Sequence, residues 1–444
     1  MYDIVFISYD ESSADTNYAA LKARFPMAKH VHNVKDIHQA YTKAAKKCFT
    51  KMFWVVWSDT LVHDDFDFSY KADDYSLDVV HVFKNDKHFD GICLFPKKIK
   101  VHEKELQYRF FQNKKEVDIV ASNPVKYDIF TINTYEEFCE LRKKASTDFF
   151  YVVPNDVDVD WDFNYHIPYY ERENIHVFKN SKYHDGVFLI HKDKPLAQRE
   201  FDYRFFVNKK EIDITVSTPK PFDIVFISYN EPNADENYAA LSEKFPRAKR
   251  VHGVKGIHQA HIAAAEICDT DMFWIVDGDA QIVDGFNFDF QSPKWQRDNV
   301  YVWRSINPIN DLVYGYGGIK LFPRNETLIM DTTKPDMTTS ISSKFNAVEE
   351  TANITAFNTD AFSTWRSAFR ECAKLSSKTI LRQNDEETES RLNIWCTKGG
   401  ERRCGDFAIA GANAGREFSI SNMADLKLIN DFDWLYEQFS KHTI

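Results

Sequence analysis

Asp277-Gly278-Asp279 closes the stretch "MFWIVDGDAQIV" (272–283), where a run of apolar, β-prone residues ends in two carboxylates one residue apart. Carboxylates at that spacing face one side only if the chain bends between them, and glycine permits the bend. Together they make a hard, anionic oxygen pocket. Such a pocket takes Mg2+ or Mn2+, leaves waters on the ion, and binds diphosphate oxygens through it. An ion held there would stabilise a departing diphosphate. The plain alternative is a turn, for which Asp-Gly is a common dipeptide.

The chain contains its own control. "MFWVVWSDTLVHDDFDF" (52–68) and "FFYVVPNDVDVDWDF" (149–163) are earlier versions of the same phrase. Both keep the second carboxylate, as Asp59 and Asp156, and both lose the first, to Trp57 and Pro154. A turn requirement would be common to all three copies, whereas chemistry needs only one. The survival of Asp277 marks the third copy as the working one.

The elements that position the pair are legible. Residues 2–59 and 222–279 align without a gap, with well over half of the positions identical. A middle copy begins at Tyr127 and lacks a stretch between its first two strands. The tails repeat as "YRFFQNKKEVDI" from Tyr108 and "YRFFVNKKEIDI" from Tyr203. The chain therefore divides into a degenerate repeat (1–125), a shortened degenerate repeat (126–220) and a catalytic domain with a C-terminal extension (221–444), in which nothing repeats from Asn325 onward. Within the third copy "DIVFIS" is a short buried strand. "NADENYAALSEKFP" is helical and stops at Pro246. A second strand, the helix "GIHQAHIAAAEICD" and the strand "MFWIV" follow. This order predicts an α/β fold with a parallel sheet and covering helices. Ligands of such sheets sit beyond the carboxyl ends of the strands, where Asp277 and Asp279 fall.

Composition narrows the classes. A 43% hydrophobic, 28% charged chain of 444 residues can bury sizeable cores. Its net charge of −11 argues against a nonspecific nucleic-acid coat, which needs a basic excess. A local basic groove is compatible with it. Seven scattered cysteines without a CxxC pair, no membrane-length apolar run and no leader ahead of "YDIVFIS" predict a reduced, intracellular protein without a membrane partner.

The α/β unit, its strand ending in DxD, and "YGYGGIKLFPR" (314–324) resemble GT-A nucleotide-sugar glycosyltransferases, which have a Rossmann-like αβα domain. "FNTDAFSTWRSAFRECAKL" (357–375) and "GANAGREF" (411–418) are similar to glycosyltransferases of T-even-type bacteriophages, which modify hydroxymethylated cytosine in phage DNA. The three-unit arrangement resembles their arabinosyltransferase branch. The resemblance covers the third copy and the C-terminal part. It implies a UDP-linked sugar donor, a Mn2+ or Mg2+ ion, and transfer of arabinose or glucose to an acceptor hydroxyl. The favoured acceptor is 5-hydroxymethylcytosine in DNA, and the place of action the host cytoplasm. It further implies that Ser228, Tyr229 and Asn230, with Glu231 beside them, receive the donor's base and ribose; the first copy keeps the same loop as "FISYDESSADTNY", so a structural role stands beside this one and ahead of it for Tyr229. A third metal ligand is expected near the C-terminus, where Asn413 stands in place of the usual histidine.

Other residues suit these roles by type. Asp277, Gly278 and Asp279 would hold ion and donor, and the bare backbone at Gly317 and Gly318 allows close approach of a sugar or phosphate. Arg366 and Arg370 lie four apart on a helical run, as a diphosphate clamp or as a solvated face paired with acids such as Glu371. Asp360 precedes that helix as a cap and is also the first choice for a general base, ahead of Glu349 and Glu350. Arg402 and Arg403 belong to a phosphate-contacting loop or to an exposed turn. The "YRFF…NKKE" tails are nucleic-acid contacts or protected edge hairpins. Two rival functions stand beside sugar transfer to DNA: transfer to a cell-surface glycan or protein, and a set of nucleotide-sugar-binding modules without turnover.

Overall fold

The computed structural model describes all residues except 12, 316, 335, 379–383, 422 and 443–444, and omits the side chains of 423–425 and 442. The chain forms two compact units, Met1–Lys220 and Pro221–Ile444. The first holds two sheets and the second one.

In the second unit Asp223–Ser228 pairs in parallel with Lys249–His252 and with Met272–Asp277. The helices Ala234–Lys244 and Ile257–Glu266 make the two crossovers. Beyond Met272–Asp277 the sheet departs from the parallel expectation. Ile319–Pro323 runs antiparallel to that strand and to Val300–Ile306. The segment joining those two strands carries no crossover helix, and without one a strand returns antiparallel. Phe345–Thr355 then pairs in parallel with Val300–Ile306 and antiparallel with Ala280–Ile282, so the sheet is mixed.

All three sheets share one strand order. The middle one lacks only the outer strand equivalent to Lys29–Val31, and a single helix, Tyr135–Leu141, joins its first two strands. The long strand of each sheet slips register at the matching place, after Phe83, Phe178 and Trp303 on its partner. The repeat is therefore longer than its sequence. Glu103–Tyr108 and Gln198–Tyr203 precede the long strands Lys114–Pro124 and Lys209–Pro219, and in the third copy Met337–Ile341 precedes Phe345–Thr355.

The C-terminal helices form a separate layer. Ala361–Ser376 buries Trp365 and Phe369 in one apolar cluster and Leu375 in another. Each such side chain contributes about 1.5–3 kcal/mol when fully buried. Gly411 and Gly415 of Gly405–Ser421 meet it closely: a Cβ on either would stand 2.2 or 2.1 Å from the carbonyl oxygens of Trp365 and Phe369. The small residues of "GANAGREF" thus serve a tight helix crossing. All seven cysteines are free thiols, and no helix among the described residues is long and apolar enough to cross a membrane.

Candidate active site

Met272–Asp277 is buried along its length until Asp277, where side chain and backbone both meet the neighbouring strand. Asp277 N–H donates to the Gly318 carbonyl at 2.9 Å. Gly318 N–H returns a bond to Asp277 Oδ2 at 3.1 Å, and Lys320 Nζ reaches the same oxygen at 3.0 Å. Gly318 has φ +79, and a Cβ there would stand 2.1–2.4 Å from the Asn353 amide, so only glycine fits. The first copy uses the same backbone differently: Trp57 Nε1 donates to the Gly91 carbonyl at 3.1 Å.

Asp279 follows Gly278, whose Cβ would meet Glu231 Oε2 at 2.7 Å. Three carboxylates, Asp277, Asp279 and Glu231, therefore face one corner. Burial works to raise Asp277, but Lys320 and His261 hold it below the usual carboxylate range. Asp279 is pushed up to about 7 by burial and by the charges of Asp277 and Glu231, against the pull of Arg366 and Lys320. Among the described residues no ion pair or hydrogen bond reaches its carboxylate.

The retained carboxylates of the earlier copies are answered otherwise. Arg109 Nη2 lies 2.7 Å from Asp59 Oδ1, and Arg204 Nη2 lies 2.6 Å from Asp156 Oδ1. Both arginines belong to the "YRFF" tails, both are buried, and both sit in the left-handed region, at φ 47 and 49. Arg172 adds a second cation to Asp59 at 3.4 Å. The Tyr169 ring lies 3.7 Å from the Arg109 guanidinium. The third copy has no arginine between Arg324 and Arg366, so Met337–Ile341 brings none to Asp279.

Asp277, Asp279, Gly317, Lys320 and Arg370 line a cavity of about 590 Å³. Its far wall holds a network that sequence reasoning did not assign. Tyr314 OH donates to Glu371 Oε1 at 2.7 Å and accepts from Trp395 Nε1 at 2.9 Å, and Arg391 lies 4.5 Å over the Tyr314 ring. Burial raises Glu371 above its ordinary value. Lys320 was missed too, although a lone lysine inside "IKLFP" was a readable signal.

The remaining expected residues divide. Arg366 stacks on Phe432 at 4.3 Å, and Arg370 Nη2 donates to Asn430 Oδ1 at 3.0 Å. Both guanidinium groups are lowered by burial, Arg370 to about 10, and both feel Asp279. Ser228 is buried, with its Oγ bonded to His252 Nδ1 at 2.9 Å and accepting from Arg250 at 3.2 Å. Tyr229 N–H donates to Glu231 Oε2 at 2.7 Å, and Asn230 is exposed. None of Ser228, Tyr229 and Asn230 lines the cavity.

Asp360, Glu349, Glu350 and Asn413 are likewise outside it. Asp360 caps Ala361–Ser376, accepting from Ser363 N–H at 2.9 Å. Glu350 accepts from Trp303 Nε1 at 3.2 Å, and Glu349 pairs with Arg304 at the surface. Asn413 is exposed, spends its amide on the carbonyls of Cys396 and Ile409, and is not brought to the acidic pair. Arg402 pairs with Asp311, and Arg403 donates to the Thr359 carbonyl. The tail lysines are paired with acids: Lys115 with Asp73 and Lys210 with Glu171.

No group of three or more histidine, cysteine or acidic residues with metal-holding geometry occurs among the described residues. The donor set at the corner is carboxylate oxygen, and among the described residues no cation pairs with Asp279. Those groups fit a hard divalent ion that keeps waters and completes its shell with phosphate oxygens.

No protein-family model matches the chain, and no curated protein does. Among solved structures the chain is similar to a mannosyltransferase from Pyrobaculum calidifontis in complex with GDP-Man and Mn2+, at 9% identity and TM-score 0.27 over 50% of this chain and 88% of that one. It is similar to TarS 1–349 from S. aureus at 8% identity and TM-score 0.20, over 49% and 91%. The glycosyltransferase GlyE of Streptococcus pneumoniae matches at 11% identity and TM-score 0.20, over 62% and 86%.

Proposed function

We propose that the second unit transfers a sugar from a nucleoside diphosphate, UDP-linked by resemblance, to an acceptor hydroxyl with the help of a divalent ion. One observation carries this reading. The same carboxylate is ion-paired with a buried arginine in two copies and, among the described residues, makes no ion pair in the third, at the wall of a large cavity. The third copy alone leaves that carboxylate open to a cation from outside.

Asp279, with the second oxygen of Asp277, would hold Mn2+ or Mg2+, leaving the other positions to water and phosphate oxygens. That ion supplies charge stabilisation for the diphosphate as it leaves. Arg370 and Lys320 place fixed positive charge in the same wall. The cavity has the size of ordinary small-molecule sites, which run to about 300–1,000 Å³. An acceptor hydroxyl entering it would be oriented by the Tyr314–Glu371–Trp395 network.

The favoured acceptor, 5-hydroxymethylcytosine in DNA, and arabinose or glucose as the sugar rest on the resemblance of the third copy to the phage enzymes. The acidic balance requires that such a base be flipped into the cavity, without a broad basic surface. Mass spectrometry of nucleosides from hydroxymethylated DNA, treated with the protein, Mn2+ and a panel of UDP-sugars, tests acceptor and sugar together. A pentose or hexose mass added to the nucleoside supports the reading. Donor turnover with unmodified DNA moves the acceptor to a glycan or protein. Donor binding without any turnover favours a binding module.

A further inference from the structure

We infer that Lys320 is a diphosphate-binding residue: an ammonium held in the cavity wall by Asp277, taking phosphate oxygens beside the ion at Asp279. This inference rests on the sugar-transfer reading for its ligand, but its physical grounds are separate.

Lys320 is the second residue of the strand Ile319–Pro323, between fully buried Ile319 and Leu321, and is itself 9% exposed. A lysine in such a place loses most of its hydration, and a buried ion pair seldom recovers that cost against apolar residues of similar volume. The chain contains the apolar version twice. Strand register puts Lys320 opposite Ile275, Cys93 opposite Val55 and Phe188 opposite Val152. The residue two beyond Ile275 is Asp277, and its counterparts are Trp57 and Pro154. Acid and amine are thus present together in one copy and absent together from the other two.

All three sheets keep the same strand order, so the fold does not need the pair. A ligand is the remaining reason to keep it. The side chain faces the cavity shared by Asp279 and Arg370. Asp277 Oδ2 is already engaged by Lys320 and by Gly318 N–H, so this oxygen steadies the lysine. A lysine serves phosphate as a compact point charge with three donors. Asp277 then acts as a positioning residue for an anion site as well as through its second oxygen.

The test is calorimetric titration of the full chain with inorganic pyrophosphate in EDTA, beside electron paramagnetic resonance of Mn2+ alone. Lys320→Met is expected to weaken pyrophosphate at least about tenfold, the loss of one charge-assisted contact, while Lys320→Arg stays within about threefold. Mn2+ affinity of Lys320→Met is expected not to fall. The double change Asp277→Trp with Lys320→Cys copies the packing of the first copy and should fold even if the single variant does not. It too should lose pyrophosphate. Wild-type affinity retained in both Lys320→Met and the double variant overturns the proposal, as does a wild type that ignores pyrophosphate in EDTA. UDP-sugar turnover is scored separately. Pyrophosphate binding that depends on Lys320 without turnover of any sugar donor sinks the transferase reading alone. Turnover with pyrophosphate binding indifferent to Lys320 sinks this inference alone.

Discussion

The Arg109 guanidinium stands 2.7 Å from the Asp59 carboxylate, so the first copy carries a built-in cation where the third copy offers Asp279 none among the described residues. The pair explains how a carboxylate can persist in a copy that has lost its neighbour. The arginine neutralises the acid, and the second copy repeats the arrangement with Arg204 and Asp156.

Metal binding should therefore separate the copies. Asp279→Asn is expected to abolish the Mn2+ signal in electron paramagnetic resonance and to lower sugar transfer by at least about 100-fold, the scale of losing one electrostatic stabiliser. Asp59→Asn should leave both unchanged. An unaltered Mn2+ signal in Asp279→Asn would place the ion elsewhere.

Stability should show the opposite dependence. Arg109→Met leaves a half-buried carboxylate with Arg172 as its remaining ion-pair partner among the described residues and should cost about 3 kcal/mol. Changing both partners, Asp59→Leu with Arg109→Met, should cost less, because no charge is stranded. Urea denaturation of the full chain measures both, and equal losses would deny that the pair matters.

The same pair sets an acid limit. Burial works to raise Asp59, but Arg109 and Arg172 prevail and bring it down to about 2. An unfolded aspartate titrates near 3.9, so the folded value is the lower one. The contribution, about 2 kcal/mol, is fully present above about pH 4 and is lost as pH falls toward 2. Urea midpoints at pH 6 and pH 3 should differ more for the wild type than for Arg109→Met.

Asp360 gives a test of cap against base. Its side chain accepts from Ser363 N–H at the start of Ala361–Ser376. Asp360→Ala should cost about 1 kcal/mol, and Asp360→Asn, which still caps, close to nothing. If Asp360→Asn melts normally yet loses transfer, the carboxylate is the proton acceptor.

Gly318 joins fold and site. Gly318→Ala forces a side chain into φ +79 and against Asn353, at a cost of about 1–3 kcal/mol. The bond from its N–H to Asp277 should be disturbed, so the thermal midpoint and donor affinity are expected to fall together. Gly317→Ala, whose nearest neighbour is Thr355 at 3.6 Å, should be tolerated.

By itself the amino-acid sequence determined what is local. Apolar runs and helical spacing marked the strands and helices of three copies, and a strand ending in Asp277 and Asp279 placed the candidate site at a carboxyl end. It also showed which copies had lost the first acid. Tertiary structure decided which charges meet. Arg109 lies 50 residues from Asp59, and Lys320 lies 43 from Asp277. Periodicity says nothing of such partners, because they are set by the reversed strand Ile319–Pro323 and by the short helices ahead of the long strands. For that reason the "YRFF…NKKE" tails read as nucleic-acid contacts or protected edge hairpins, and nothing in them pointed Arg109 and Arg204 at Asp59 and Asp156. Asn413 read as a metal ligand for the same cause, and only the helix crossing on Trp365 and Phe369 showed what the small size of Gly411 and Gly415 is for.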